Sequence, residues 1–573
     1  MSIIEFKEAN CKNCYRCIRA CPVKSISFRH EQARIDEQDC ILCGHCYVEC
    51  PQKAKSLNSN LSLVKAFLHS GTRTCVSLAP SSAAAFDGAS FAQVSAALKK
   101  LGFEVVEETA VGAEHVTDDF VKLLGEHTLS NMITTCCPTV VLAVERHYPE
   151  LLPYLAPVAS PMLVHGRLLK QVYGPTVRTV FIGPCISKLY EAQDPSNDGA
   201  IDAALTFDEV SGWLREAGIS LREEDPDALE LRETVNRLYP IPGGILDTIP
   251  AEAKSGYRCL TVDGAERCVE TFEAMRHHEL AGYVVEMSAC AGSCVNGPGS
   301  QENRVPFMIA RANVVERACE SAAASPPPTE EASVDTSKTY TDKSQAHPAA
   351  TDEQIRQVFL KMGKNSPEKI LNCGACGYDT CREKAEAVVR GKADIHMCIP
   401  YMREKAESIS NVVLDNAPDA IILIDNNFCL VEYNAKAGQM FGLNRVNYVG
   451  KPISMIVDCD DMDRVMETGE DVYDHKITYH DLGITVLQTT VRVPDHELFI
   501  LLVKDVTHAQ EEKVRYMAMR EETVEVAQAV INKQMRVAQE IASLLGETTA
   551  ETKVALTNLK RYLHEEDNDE SVY

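Results

Sequence analysis

The sequence predicts a multidomain protein that combines α/β and α+β domains. At 573 residues the chain is too long for a single hydrophobic core. Between residues 58 and 318, apolar runs such as "RTVFIGPC" alternate with helical patterns such as "FAQVSAALKKLGF", which indicates a mixed α/β domain. Cysteines gather on both sides of this region, at 1–57 and 373–398. A stretch rich in Pro, Ser and Thr at 319–350 predicts a disordered linker.

The composition excludes some partners and narrows the chemistry. A net charge of −26 argues against nucleic acid and anionic membrane surfaces as main partners, because both attract basic patches. We find no signal-peptide pattern at the start and no run approaching the ~20 apolar residues needed to span a bilayer. We therefore expect a cytoplasmic protein with no membrane partner. In that reducing compartment, 23 cysteines predict metal or catalytic sites rather than disulfides.

Residues 1–57 contain two similar cysteine runs, "CKNCYRCIRACP" and "CILCGHCYVECP". Both follow the bacterial two-cluster ferredoxin spacing, C-x2-C-x2-C-x3-C-P, in which the fourth cysteine serves the other cluster. The segment therefore resembles a two-[4Fe–4S] ferredoxin domain, whereas zinc binding would require two separate tetrads. The predicted ligands are Cys11, Cys14, Cys17 and Cys50 for one cluster, and Cys40, Cys43, Cys46 and Cys21 for the other.

A further cysteine group lies in residues 351–405. The sequence "CGACGYDTC", followed by "HMCIP", resembles the small [4Fe–4S] domain of electron-transfer subunits and corrinoid iron–sulfur proteins. Its glycines let backbone amides approach the sulfurs, which tunes the potential of a cluster. A structural zinc is the alternative. The predicted ligands are Cys373, Cys376, Cys381 and Cys398.

Short motifs carry the chemistry of the middle domain, residues 58–318. They are "TTCCP" at 134–138, "GPCISKLYE" at 183–191 and "EMSACAGSCVNGPG" at 286–299. In this order, after a two-cluster ferredoxin, they resemble the three signatures of the [FeFe]-hydrogenase active-site domain. The segments "SLAPSSAAAF" and "ASPMLVHGRLLKQVYGP" are also similar to that family.

The resemblance implies an H-cluster, in which a [4Fe–4S] subcluster is joined to a two-iron unit carrying carbon monoxide and cyanide. Cys294 would bridge to the two-iron unit, and Lys188 would donate to a cyanide ligand. Cys136 matches the family's proton-transfer thiol; its alternative role is that of a small buried residue. The implied cluster ligands are Cys137, Cys185, Cys290 and Cys294. The positions that match pocket-lining segments are Ala79, Pro80, Ser81 and Ser160.

The chain departs from the family's signatures, and these changes alter the polarity or shape around the cluster, where its potential is set. The departures are Val140 for Trp, Gly183 for Met, Ser288 for Met, Ser293 for Gly, and Pro298 within the run of glycines. Asp118 and Asp119, on a predicted helix, are candidates for the acidic relay beyond Cys136, although solvated acids are commoner.

The C-terminal third resembles a PAS domain at 406–508. A helix leads into the strand "AIILID", the turn "NNF", the strand "CLVEYN" and a helix at "AKAGQMFG". Strands near 472–480, 484–492 and 497–505 complete a predicted five-stranded antiparallel sheet. No PAS ligand is readable. The residues predicted to be packing or surface residues rather than ligands are Cys429, Cys459 and His475.

Residues 509–573 predict a signalling helix or coiled coil followed by an acidic tail. Apolar residues recur at heptad spacing, which allows either a homodimer or a helix packed on its own domain. These residues are Val524, Ile531, Ala538 and Leu545.

The domain order resembles the sensory-type, PAS-containing [FeFe]-hydrogenases. We expect three [4Fe–4S] clusters and an H-cluster, with heterolytic H2 splitting or proton reduction coupled to the ferredoxin-type clusters. The protein would sense H2 or redox state through its PAS domain, with a ferredoxin-like electron partner and a separate kinase or phosphatase as output. One alternative is a ferredoxin-linked catalytic hydrogenase whose PAS domain serves docking or dimerisation. Another is a redox-only iron–sulfur signalling scaffold.

Overall fold

The computed structural model describes residues 2–29, 32–224, 234–302, 304–319, 332–346, 349–443, 448–493, 497–545, 553–555 and 557–558. The chain forms two compact units, Met1–Met402 and Arg403–Tyr573. Among the helices within these ranges, none has both the length and the apolar character needed to cross a bilayer.

The N-terminal domain has two similar halves, as the repeated cysteine runs predict. Its elements are β1 (Ile4–Phe6), α1 (Arg16–Arg19), β2 (Ile26–Arg29), β3 (Gln32–Ile35), α2 (His45–Val48) and β4 (Lys55–Leu57). Strand β1 pairs antiparallel with β4, and β2 pairs antiparallel with β3. A short helix lies within each cysteine run.

Parallel sheets with surrounding helices form the middle domain. Its strands are β5 (Thr74–Leu78), β6 (Val105–Glu108), β7 (Met132–Ile133), β8 (Arg178–Gly183), β9 (Ala203–Thr206), β10 (Arg258–Asp263) and β11 (Tyr283–Ser288). In the described part of this domain, the strand order is β6-β5-β8-β9 in one sheet and β10-β11-β7 in the other. Every residue of β5 and β9 is buried, as expected for strands of a parallel sheet that is covered on both faces.

The helices of the middle domain start at recognisable caps. Ser90 and Thr206 each accept a hydrogen bond from the backbone three residues on, and the side chains of Gln93 and Glu209 reach back to complete capping boxes. The helices are α3 (Leu61–His69), α4 (Phe91–Lys100), α5 (Ala110–Gly125), α6 (Pro138–His147), α7 (Pro161–Tyr173), α8 (Ser187–Gln193), α9 (Phe207–Glu216), α10 (Gly244–Thr248), α11 (Ala265–Arg276) and α12 (Phe307–Ala318). The mixed α/β prediction is confirmed.

Residues 332–346, which we call the strap, differ from the predicted disordered linker. The strap is extended and bridges Val158 at Ser337. The Ala159 N–H donates to the Thr336 carbonyl over 2.8 Å. Composition alone missed this segment because its order comes from backbone hydrogen bonds to a distant part of the chain. Alternate residues along it are half-buried, namely Ala332, Val334, Thr336, Lys338 and Tyr340. Residues 320–331 and 347–348 of the predicted linker lie outside the described residues.

The small cysteine-containing domain is the last domain of the first unit in sequence order. Helices α13 (Asp352–Lys361) and α14 (Cys381–Val389) pack over a core that includes Ile355, Met362 and Ala385. Helix α15 (Ile399–Asp415) continues the chain into the second unit.

The second unit contains the predicted five-stranded antiparallel sheet, which is confirmed. Its elements are β12 (Ala420–Asp425), β13 (Leu430–Tyr433), α16 (Ala435–Phe441), α17 (Asp460–Thr468), β14 (Val472–Tyr479), β15 (Ile484–Val493) and β16 (Leu498–Asp505), followed by α18 (Thr507–Leu545). The strand order is β13-β12-β16-β15-β14.

Side chains singled out in the second unit have local partners. His475 Nδ1 lies 2.8 Å from Asp461 Oδ1, as expected for a packing residue. On α18, the predicted heptad residues Val524, Ile531 and Ala538 are half-buried. Dimerisation through this helix stays a prediction, and most of the predicted acidic tail lies outside the described residues.

Candidate metal centre

The hydrogenase-like motifs of the middle domain follow the carboxyl ends of parallel strands. Cys136 and Cys137 come shortly after β7, Cys185 follows β8, and the segment with Cys290 and Cys294 follows β11. Ligands commonly bind at the carboxyl ends of parallel strands. Because β7 and β11 belong to one sheet and β8 to the other, cysteines from both sheets reach the same place.

These cysteines surround a cavity of about 110 Å³. Lys188 brings a positive charge to a wall that is otherwise mainly apolar. The thiols are distributed around this wall: among the described residues, no three His, Cys, Asp or Glu side chains converge as ligands of a single ion. The predicted site residues on the wall are Ala79, Pro80, Ser81, Cys136, Cys137, Cys185, Lys188, Cys290 and Cys294.

Ser160 lies behind the wall, which differs from the prediction that it lines the pocket. It is fully buried, and its hydroxyl donates to Glu191 Oε2 over 3.0 Å. The same carboxylate oxygen accepts from Lys188 Nζ over 2.7 Å. Lys188 and Glu191 meet because they are three residues apart on α8. Ser160 therefore positions Lys188 through Glu191.

Burial dominates the protonation of the cavity thiols. It raises the pKa of Cys136 well above its ordinary value, and Lys188 opposes this shift. The pKa of Cys185 is raised to about 11, and the pKa values of Cys290 and Cys294 are raised for the same reason. An apolar wall disfavours the thiolate, whereas metal binding requires it. The thiols would therefore lose their protons only when a positively charged group binds beside them.

Glu286 lies on the cavity wall and holds the segment around residues 243–246. Its carboxylate accepts N–H groups from Gly243 at 2.8 Å, Ile245 at 3.0 Å and Leu246 at 2.9 Å. Burial raises the pKa of Glu286 to about 7, although these donors favour the carboxylate. The bonds fix the loop that carries Tyr239 to the cavity wall.

Some departures from the family's signatures compensate for one another. The Ser288 and Ser293 hydroxyls are 2.7 Å apart and form a hydrogen bond on the cavity wall. Ser293 has a φ of +59°, in the left-handed region that favours glycine, so this bond supports a conformation costly for serine. At Gly183 a Cβ would lie 2.5 Å from the Phe181 ring, which excludes a larger side chain.

The N-terminal cysteines have neighbouring thiols in both cysteine runs. The thiol of Cys17 is within electrostatic range of Cys11 and Cys50. The second group is centred on Cys21, which acts on the thiols of Cys40, Cys43 and Cys46. An exchange of fourth cysteines between two clusters would need such neighbours across the two runs. The assignment of individual ligands stays a prediction.

The second N-terminal cysteine run reaches the cavity, where Cys43 forms part of the wall. Beside it, a Cβ on Gly44 would lie 2.7 Å from Pro298 and 2.9 Å from Ile186. Gly44 has a φ of +77°, so glycine serves both the close approach and the backbone conformation. Pro298, which interrupts the family's glycines, is thus a contact for the ferredoxin-like domain.

The cysteines of the small domain line a pocket near the N-terminal cysteine group that contains Cys21. Arg19 Nη1 donates to the Ala375 carbonyl over 3.0 Å, and a Cβ on Gly377 would lie 2.8 Å from Ile18 Cγ2. Tyr378 is buried between the domains, where burial and the charges of neighbouring thiols, including Cys21, raise its pKa. The pocket-lining cysteines are Cys373, Cys376, Cys381 and Cys398.

Sequence reasoning missed Thr109 and Tyr239, which also line the cavity. The Tyr239 hydroxyl lies 2.7 Å from Thr117 Oγ1. Neither wall residue belongs to a cysteine motif, and only the packing of distant segments brings them to the site.

Asp118 and Asp119, the candidates for an acidic relay, do not reach the cavity wall. Asp118 is exposed. Asp119 pairs with Lys122 at 2.8 Å and accepts a hydrogen bond from Thr336 of the strap. Their side chains face the surface and the strap because they lie on the outer side of α5.

Comparisons with known proteins agree with this organisation. Residues 72–298 match the family described as "Iron only hydrogenase large subunit, C-terminal domain". The other matches are a 4Fe-4S dicluster domain at 3–51, an Fe-S cluster family at 371–400 and the PAS fold at 411–506.

Individual relatives resemble parts of the chain. Iron hydrogenase 1 of Clostridium pasteurianum is 26% identical over 364 residues, which cover 50% of this chain and 63% of that protein. Cytosolic Fe-S cluster assembly factor NAR1 of Yarrowia lipolytica is 29% identical over 184 residues, 28% of this chain and 38% of that protein. The chain thus spans less than two thirds of the length of either relative.

A solved structure of the [FeFe]-hydrogenase HydA1 from Chlamydomonas reinhardtii matches 50% of this chain and 100% of that chain, with a TM-score of 0.41 and 17% identity. The family matches and the sequence similarity to iron hydrogenase 1 lead to one conclusion. The chain is an [FeFe]-hydrogenase-like iron–sulfur protein that also carries a PAS domain.

Proposed function

We propose that the protein is a sensory [FeFe]-hydrogenase that splits or forms H2 at the cavity and reports its redox state through the PAS domain. The observation that carries this proposal is that the five motif cysteines and Lys188 surround one cavity beside the ferredoxin-like domain. H2 and protons would be the substrates.

The residues of the cavity fit an H-cluster. Thiolates are soft ligands suited to iron, and these thiols need a cationic partner in order to ionise within an apolar wall. When bound, the two-iron unit supplies the heterolytic cleavage or formation of H2. Cys294 would also hold the two-iron unit. The residues that would hold the [4Fe–4S] subcluster are Cys137, Cys185, Cys290 and Cys294.

Cys136 and Lys188 have roles other than ligation in this proposal. Cys136 presents a thiol on the cavity wall, so its Sγ would deliver a proton into the cavity and recover it. Glu191 holds Lys188 Nζ at 2.7 Å, which leaves its other N–H groups to donate to an anionic ligand. The residues that would shape the pocket are Ala79, Pro80 and Ser81.

Contacts within the first unit support an electron path away from the cavity. Cys43 of the second ferredoxin-type cluster lines the cavity wall and acts electrostatically on Cys290. Cys21, a predicted ligand of the same cluster, neighbours Tyr378 of the small domain. Cys21 and Cys43 would therefore hold a cluster between the cavity and the small domain, and such a cluster would supply electron transfer.

The signalling step extends from the small domain. The small-domain cysteines would hold a cluster whose redox state biases the PAS domain and α18 between two arrangements that differ in stability. A ferredoxin-like protein would exchange electrons with the N-terminal clusters, and a separate kinase or phosphatase would receive the signal. Pairing through the PAS domain or α18 would make the protein a homodimer.

Other functions use the same cavity differently. The presence of Cys136 on the wall favours a ferredoxin-linked turnover enzyme, with the PAS domain used for docking or dimerisation. Similarity to NAR1, a cluster assembly factor, favours a redox-only iron–sulfur scaffold.

Infrared spectroscopy of protein co-expressed with the hydrogenase maturation enzymes separates the scaffold from the other two functions. Bands from bound carbon monoxide and cyanide are expected. Their absence would reject H2 chemistry and leave the scaffold.

Hydrogen evolution from reduced viologen then separates a sensor from a turnover enzyme. Wild type should evolve H2 slowly, Cys136→Ala should be slower still, and Cys75→Ala should match wild type because this buried thiol lies outside the cavity wall. Fast evolution that collapses only in Cys136→Ala would favour the turnover enzyme.

A further inference from the structure

A continuous chain of polar side chains leads away from the cavity wall. Thr109 lines the cavity, and its Oγ1 lies 2.7 Å from Ser77 Oγ. Ser77 Oγ is 2.8 Å from His165 Nδ1, and His165 Nε2 is 3.2 Å from Glu107 Oε2. At the far end, the Tyr173 hydroxyl donates to Glu107 Oε1 over 2.6 Å.

The fold holds these groups in line from the interior to the surface. Ser77 on β5 is paired with Glu107 on β6, and α7 carries both His165 and Tyr173. The four inner residues, from Thr109 to Glu107, are each at most 7% exposed. Tyr173 is half-buried, so the chain ends where water has access.

One set of donor directions satisfies every bond of the chain. Both oxygens of an ionised Glu107 accept, so His165 donates from Nε2 and its Nδ1 accepts from the Ser77 hydroxyl. Ser77 then accepts from Thr109. Each inner donor therefore points away from the cavity and towards Glu107, and all five groups can both release and accept a proton.

We propose that this chain carries protons between the cavity and the surface at Tyr173. The inference rests on the proposed function, which needs a proton route that Asp118 and Asp119 do not supply from their positions outside the wall.

The transfer balances at each step. A proton taken up at Thr109 releases the hydroxyl proton of Thr109 to Ser77, which protonates His165 Nδ1. His165 then gives its Nε2 proton to Glu107. The protonated carboxyl group of Glu107 and the Tyr173 hydroxyl then turn, so that Glu107 passes its proton to the Tyr173 oxygen as the phenol donates its own proton to water. One proton enters, one leaves and no electrons move. Rotation of the hydroxyls and a change of the His165 tautomer, in which Nδ1 loses one proton as Nε2 gains one, restore the starting directions.

Other charged and titratable groups lie near Tyr173, at the outer end of the polar series. Arg73 lies over the Tyr173 ring at 4.9 Å and pairs with Glu104 at 2.9 Å. The buried Cys75 thiol acts on Tyr173 as well. None of these three side chains forms a link between Thr109 and Glu107.

The first test uses protein without its two-iron unit. It asks whether the polar side chains from Thr109 to Tyr173 conduct protons. The His165 Nε2 proton, on a side chain with 0% exposure, should exchange with solvent faster than the backbone amides of α7. Selective ¹⁵N-histidine NMR measures this exchange, and loss of the signal in His165→Asn assigns it. Glu107→Gln keeps the shape of the acid but removes the relay, and should slow exchange about tenfold or more.

Matched variants keep this test decisive. Glu145→Gln changes a similarly buried acid that does not belong to the hydrogen-bonded series from Thr109 to Tyr173. It should leave the exchange of the His165 proton unaltered. Tyr173→Phe keeps the ring at a half-buried position, so it tests the route even where Glu107→Gln fails to fold. Exchange as slow as the α7 amides in wild type, or equal rates in wild type and both chain variants, would overturn the proposal.

Measurements on the loaded protein separate this inference from the proposed function. With carbon monoxide and cyanide bands at wild-type positions, Glu107→Gln should evolve H2 about tenfold more slowly, with a shifted pH profile, and Glu145→Gln should not. Bands present with unchanged turnover in Glu107→Gln would refute the proton route alone. Bands absent from wild type would reject the proposed function, and the NMR exchange would still decide whether the chain conducts.

Discussion

Tyr340 anchors the strap to the middle domain, so shortening its side chain should release the strap locally. Its hydroxyl donates to the Val158 carbonyl over 2.8 Å, and its ring is half-buried. Loss of the hydrogen bond costs about 1 kcal/mol. Loss of the ring also removes the apolar burial of about half an aromatic side chain, which costs about 1 kcal/mol more. We therefore expect local destabilisation of about 1 kcal/mol in Tyr340→Phe and about 2 kcal/mol in Tyr340→Ala.

Hydrogen exchange of strap amides measures this release. The Lys338 N–H donates to the Pro157 carbonyl over 3.1 Å, and the Lys343 N–H donates to the Glu145 carbonyl over 2.8 Å. Both bonds protect their amides only while the strap is docked. At 1.4 kcal/mol for each factor of ten, exchange should rise about fivefold in Tyr340→Phe and about thirtyfold in Tyr340→Ala.

The amides of β5 serve as the internal control, because their exchange should not change. Unprotected Lys338 and Lys343 amides in wild type, or equal protection in wild type and Tyr340→Ala, would refute the docked strap. Faster exchange in β5 as well would indicate that the variant loosens the whole domain.

Further substitutions test the packing around the clusters and in the PAS domain. Gly377→Ala places a Cβ against the ferredoxin-like domain, so paramagnetic resonance should show weaker coupling between reduced clusters. Gly374→Ala, also at positive φ but with its Cβ no closer than 4.0 Å to the Tyr378 carbonyl oxygen, should retain the coupling. Arg237→Met leaves buried Glu108 without its 2.7 Å partner and should lower the free energy of unfolding by about 3–5 kcal/mol, measured by denaturation; a loss below about 1 kcal/mol would contradict this. Asn434→Ala removes four hydrogen bonds and should speed hydrogen exchange across the PAS sheet; unchanged exchange would count against this role.

Features that depend on neighbours in sequence could be predicted well. The strands of the PAS sheet lie where alternating and apolar runs placed them, for example Ala420–Asp425 at "AIILID". The cysteine runs could be grouped because a cluster domain needs several thiols at short spacing, and the motif cysteines do meet at one cavity. Ligand roles and domain boundaries inferred from those spacings remain predictions.

Features that depend on distant partners could not be predicted from local patterns. Composition predicted disorder for the strap, whose order comes from hydrogen bonds to residues 157–159. Pocket resemblance placed Ser160 on the cavity wall, yet its hydroxyl instead holds the partner of Lys188.

The sequence by itself determined the kind of chemistry and the order of the domains, because cysteine spacing and hydrophobic period are local properties of the chain. Only the tertiary structure decided which groups surround the cavity, where Cys43 approaches it, and that Thr109 connects it with Ser77 and His165. These relations join residues far apart in sequence. Strand order and close packing create them, and neither is written in any short segment.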